Sequence, residues 1–120
     1  METQHAINEH LQRWNSACKQ YRSEFEAHSQ AKALYEHSKA QHMRRSMMGD
    51  PPTSKAAAEV LADADEDLYA LNLERLRAEA DAESTRKFLD WCRAKSDALR
   101  SEHVDERMAS QLYADRGAGA

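Results

Sequence analysis

The 120-residue chain is 41% hydrophobic and 32% charged, but 21 of its hydrophobic residues are alanine and only 15 are Leu, Ile, Val or Phe. With 3 Gly and 2 Pro it has the composition of long helices and coiled coils, which excludes a β-sandwich, a barrel or a Rossmann domain. The net charge is −4, divided as 7 basic and 5 acidic side chains in residues 1–49 against 10 and 16 in residues 50–120. A chain this poor in large side chains buries a small core, so its helices are expected to seek partners in a homo-oligomer.

From about residue 4 to 48 there is neither Gly nor Pro, and Ile7, Leu11, Trp14, Cys18, Tyr21 and Phe25 step by fours and threes. This spacing predicts a helix with a heptad seam, dry as far as Phe25 and wetter beyond it, where the same register meets His28, Lys32, Tyr35, Lys39 and His42. Residues 49–54, Gly-Asp-Pro-Pro-Thr-Ser, hold both prolines and predict a turn, with Gly49 closing the first helix and Thr53 or Ser54 capping the next. A short connection makes antiparallel neighbours. The expected fold is therefore all-α: a long antiparallel helical hairpin, coiled-coil-like, in one domain.

The second arm is expected over about residues 55–114, with a frayed tail at 115–120. Ala57, Leu61, Ala64, Leu68 and Leu71 repeat the 4-3 step, Arg75 interrupts it, and Ala78, Ala82, Thr85, Leu89, Cys92, Ser96 and Leu99 resume it. A bend or a change of partner is expected between residues 72 and 86. Phe88, Leu89, Trp91 and Cys92 span more than one narrow face and, with Leu99, are expected to form an oligomer interface.

Convergent chemistry is sparse. Cys18 and Cys92 lie outside any CxxC or zinc-like spacing and read as reduced, buried thiols. Glu24 and His28 at i and i+4, or Glu2 and His5 at i and i+3, give two ligands each, too few for a firm metal site. No glycine-rich phosphate loop or nucleophile elbow is present. The expectation is a protein that is not an enzyme, with no cofactor and no metal. No apolar run approaches the ~18 residues of a membrane span and residues 1–30 show no signal-peptide core, so no membrane partner and a cytoplasmic location are expected.

The end of the first helix is the most informative segment. Lys32, Lys39, His42, Arg44 and Arg45 follow one another without a carboxylate after Glu36, and Tyr35 offers a ring for base stacking. Such residues also suit a helix C-terminus, whose dipole favours cations. Brought together in a ring of subunits, Lys39, His42, Arg44 and Arg45 could track single-stranded DNA. The acidic residues Glu59, Asp63, Asp65, Glu66 and Asp67 read as a dipole-favoured face near the start of the second helix, or as a docking patch for a basic partner.

The order of these features, a basic helix end, a Gly-containing turn, Ser54-Lys55 leading into Val60-Leu61-Ala62-Asp63-Ala64-Asp65, and then Phe88-Leu89-Asp90-Trp91-Cys92 followed by Asp97-Ala98-Leu99-Arg100-Ser101, resembles the UvsY-like recombination mediators of tailed phages. The resemblance covers about residues 28–115. It implies a small helical protein that forms rings, binds single-stranded DNA and helps a recombinase displace single-strand-binding protein in the host-cell cytoplasm. The family's basic motif falls on Arg44 and Arg45, beside His42; the chain departs from it in lacking the motif's lysine and in carrying Met47 and Met48 where aromatic residues would follow. A reading from another class is a phage-encoded interaction protein that inhibits a host nuclease or defence complex through its acidic face. A passive coiled-coil scaffold is a third.

Overall fold

A computed structural model describes Glu2–Ala118, with side chains through Arg116. The described residues form three helices, α1 (Glu2–Met47), α2 (Lys55–Ala64) and α3 (Glu66–Ala118), and no strand. No described helix is long and apolar enough to cross a membrane. The chain is an all-α helical hairpin, as its composition and turn predict. The contacts group into two compact units, Met1–Gln20 with Thr85–Ala120, and Tyr21–Ser84. Each unit pairs a stretch of α1 with chain from beyond the turn.

Local chemistry sets the helix ends. Past Met47 the Met48 N–H still donates to Arg44 O at 3.0 Å, then Gly49 N–H tightens the turn onto Ser46 O at 3.4 Å. Gly49 keeps a negative φ. A side chain there would place Cβ 3.4 Å from the Arg45 and Ser46 carbonyls, at the edge of ordinary van der Waals contact, so neither a left-handed backbone nor lack of space demands glycine at this turn. Ser46 O also accepts from Thr53 N–H at 3.2 Å, which folds the turn back on α1. Of the two candidate caps Ser54 is the one used, its hydroxyl accepting from Ala57 N–H at 3.2 Å.

The second arm is broken at Asp65; between residues 72 and 86, where a bend or a change of partner was expected, α3 is continuous and the boundary between the two units falls at Ser84 and Thr85. Asp65 is extended (φ −71, ψ 127) and belongs to both neighbours. Its N–H donates to Ala62 O at 3.2 Å, closing α2, and its carboxylate accepts from Leu68 N–H at 3.0 Å, opening α3. Glu66 and Asp67 then occupy the first turn of α3, where the dipole favours negative charge. Of the acidic run, Asp65, Glu66 and Asp67 thus belong to a helix start, that of α3, whereas Glu59 and Asp63 lie within α2. Asp115–Ala118 continue α3 where a frayed tail was expected; Gly119 and Ala120 lie outside the described residues.

In the Tyr21–Ser84 unit the pairing is antiparallel, with Tyr35 against Arg75 and His42 against Asp65. Its buried residues are Ala58, Ala62, Leu68 and Ala82, and Leu71, Arg75 and Ala78 are half-buried between them. From Leu68 onward this is the seam expected from sequence, except that Arg75, expected to interrupt it, is half-buried in its place in the row. Before the break it is not. Ala58 and Ala62 are buried at 0% and 1% exposure, while Leu61 is exposed. One extended residue at Asp65 rephases the helix, so α2 turns the neighbouring row inward.

The other unit is also antiparallel, His10 meeting Cys92 and Thr3 meeting Glu106. Its buried residues are His10, Ala17, Thr85, Cys92 and Ser96. Leu89 and Leu99 are half-buried in the α3 row. Along α1 the expected seam is half right: Ile7, Trp14 and Tyr21 are half-buried, but Leu11, Cys18 and Phe25 are exposed. His10 and Ala17 take the inward places. The facing row is Thr85, Cys92 and Ser96, small side chains that let the backbones approach closely, so α1 turns inward the residues that fit the narrow gap rather than its largest ones. His10 is admitted because its Nε2 donates to Cys92 O at 2.7 Å.

Candidate nucleic-acid interface

The four basic residues expected to contact DNA divide into two pairs. Lys39 and His42 lie on the row of α1 that faces the rest of the unit. The Lys39 ammonium is 3.3 Å from Asp63 and 3.8 Å from Glu59, and His42 Nε2 is 3.6 Å from Asp65. Burial pulls the Lys39 pKa down, but the Asp63 hydrogen bond and the charges of Tyr35, Asp63 and Glu59 outweigh it, leaving the pKa above the ordinary lysine value. The second pair, Arg44 and Arg45, is exposed at the last turn of α1 and forms no ion pair among the described residues. Arg45 Nε reaches back to Gln41 O at 3.5 Å. Gln41, Arg44 and Arg45 border a shallow concavity of about 440 Å³, and Met48 is exposed just beyond them.

This arrangement divides the acidic run as well. Glu59, Asp63 and Asp65 are engaged by Lys39 and His42 of the same chain, which occupies three of the five carboxylates considered as a docking face. Asp65 and Asp67 share a second concavity with His42 and Arg45. Tyr35, considered for base stacking, has the Arg75 guanidinium 5.5 Å from its ring centre. Arg75 in turn is held by Asn72 at 2.9 Å and Glu79 at 3.6 Å.

The residues expected at an oligomer interface also separate. Leu89, Cys92 and Leu99 lie in the seam of their own unit, Cys92 with no exposure at all. Burial raises the Cys92 thiol's pKa, Cys18 adds to the rise and Lys95 opposes it. Cys18, expected to be buried, is exposed. Phe88 and Trp91 remain outside at 41% and 49% exposure, their rings stacked at 5.4 Å and 24°. Trp91 meets the His10 ring edge-on at 6.1 Å, and the Lys95 ammonium lies 4.9 Å from its centre. Sequence reasoning missed the neighbours of this pair, Gln12, Arg13, Ser16 and Gln20, which with Glu9 and Phe88 line a groove of about 490 Å³. More than 60 residues separate the two sides of the groove in sequence, so no local pattern links them.

Among the described residues no three His, Cys, Asp or Glu side chains are grouped to hold a metal ion. Comparison with family models, with curated proteins and with solved structures finds no match for the chain. What the fold and these surfaces define is a helical hairpin protein with a charged turn and an exposed aromatic pair.

Proposed function

We propose that this protein is a non-enzymatic recombination mediator of phage type, which binds single-stranded DNA and assists the loading of a recombinase in the host-cell cytoplasm. The observation that carries the reading is the pair Arg44 and Arg45. They are exposed at the hairpin turn without a carboxylate partner among the described residues, in the place the resemblance assigns to DNA contact. Lys39 and His42, already paired within the chain, support the position of this helix end rather than the phosphates. The surrounding unit has 8 basic and 13 acidic side chains, a net of −5, so one copy offers a polyanion a small basic site in an unfavourable field. Assembly of several copies would multiply the site, and exposed Leu11, Phe25 and Leu34 are apolar surface available for it.

The test is a titration of labelled single-stranded oligonucleotide across a range of salt. Binding should weaken steeply as salt rises, and Arg44→Ala or Arg45→Ala should flatten the slope by about 0.7 for each phosphate that is no longer neutralised. Absence of binding at low salt overturns the reading. Light scattering with and without the oligonucleotide reports the assembly.

A further inference from the structure

We infer that the groove beside Phe88, in the unit formed by Met1–Gln20 and Thr85–Ala120, is a binding site for an unpaired nucleobase of single-stranded nucleic acid. This deepens the proposed function and rests on it: the turn supplies charge and the groove supplies stacking. An exposed ring already stacked on a second ring is a platform that any base can extend, because every base has a π-face. The groove wall facing Phe88 carries the amide of Gln12 and the hydroxyl of Ser16. These both donate and accept hydrogen bonds, as the edge of a base requires, whereas an apolar helix seated there would bury them against groups that cannot bond them, at a cost.

Charge points the same way. Arg13 on the groove and Lys95 beside Trp91 form no ion pair among the described residues, which leaves two cations for the flanking phosphates. The carboxylate on the groove, Glu9, is turned to His5 Nε2 at 3.2 Å. This unit has 9 basic and 8 acidic side chains, a net of +1, so it lacks the repulsive field of the other.

The experiment uses the full chain and a thymidine oligonucleotide. Phe88→Leu keeps apolar bulk and removes the ring; Phe88→Tyr keeps the ring; circular dichroism checks that both remain helical. Phe88→Leu should weaken binding about 5- to 100-fold, the stacking of one base, while Phe88→Tyr binds like wild type. The salt slope should stay unchanged, because the same phosphates remain neutralised, and an oligonucleotide carrying 5-iodouracil should photocross-link to the peptide holding Phe88 and Trp91. Phe88→Leu binding like wild type, or cross-links confined to the turn, overturns the inference. So does a fall in solution mass of Phe88→Leu with oligonucleotide binding intact, which would assign the surface to a second copy of the chain. If wild type binds and only the Arg44→Ala, Arg45→Ala double variant loses binding, the groove is refuted and the proposed function stands. If wild type does not bind at low salt, both fall.

Discussion

The two units pair helices by different means. The unit formed by Met1–Gln20 and Thr85–Ala120 closes on small side chains and one side-chain-to-backbone hydrogen bond, with Ala17, Thr85, Cys92 and Ser96 buried and His10 bonded to Cys92 O. Its aromatic rings stay at the margin. The Tyr21–Ser84 unit closes on alanines of α2, with Lys39, His42 and Arg75 held by carboxylates or by a ring. Its charges are spent on itself. Surface chemistry is left over in different places as a result: stacked rings flanked by cations in the first unit, and the two turn arginines in the second.

Four substitutions bear on this contrast. His10→Ala should have the largest effect, about 2–4 kcal/mol, because it empties a buried site and deletes its hydrogen bond. Hydrogen exchange should show protection falling in residues 2–20 and 85–116 before 21–84; an equal fall in both would mean that the units unfold as one. Ala62→Leu should cost about 1–3 kcal/mol by overfilling the seam under α2, seen as a lower urea midpoint. An unchanged midpoint would show that α2 is loosely held.

Asp65→Ala removes the α3 cap and the partner of His42, for about 1 kcal/mol by the same measurement. Lys39→Met should cost least, at most about 1 kcal/mol near neutral pH, since Glu59 and Asp63 are more than half exposed. The folded-state pKa of Lys39 is raised, so its contribution is fully present below the ordinary value of 10.5 and is lost as pH rises through the folded value. The gap between Lys39→Met and wild type should therefore close in strongly alkaline buffer. A gap that persists there would assign the effect to packing of the lysine stem.

Much of the hairpin was legible in the sequence. The turn and the Ser54 cap depend on local signals, and the row from Leu68 to Leu99 on a period whose spacing Arg75 keeps although its charge marks an interruption; all appear where those signals put them. Arg75 fits its row because Asn72 and Glu79 lie within about one turn of it. The α1 seam was only half legible, because hydrophobicity identifies Leu11 and Phe25 while the width of the gap admits His10 and Ala17, and that width is set by residues of α3 remote in sequence. The phase of α2 was hidden by reading Asp65 as part of an acidic face; followed by Glu66 and Asp67, it has the pattern of a helix start. At the candidate site Arg44 and Arg45 lie exposed as their helix-end position suggests. The pairing of Lys39 with Glu59 and Asp63 depends on the fold of the turn, which sequence proximity does not convey.

Asp65 also governs where this chain can change length. Within α3 an inserted or deleted residue would rotate everything beyond it by about 100° and turn the seam outward over many turns. At Asp65 a phase shift of that size is already accommodated by one extended residue, and residues 48–54 are likewise outside any helix. Homologous chains should therefore differ in length at these two joints, while the long helices vary in composition and keep their residue count.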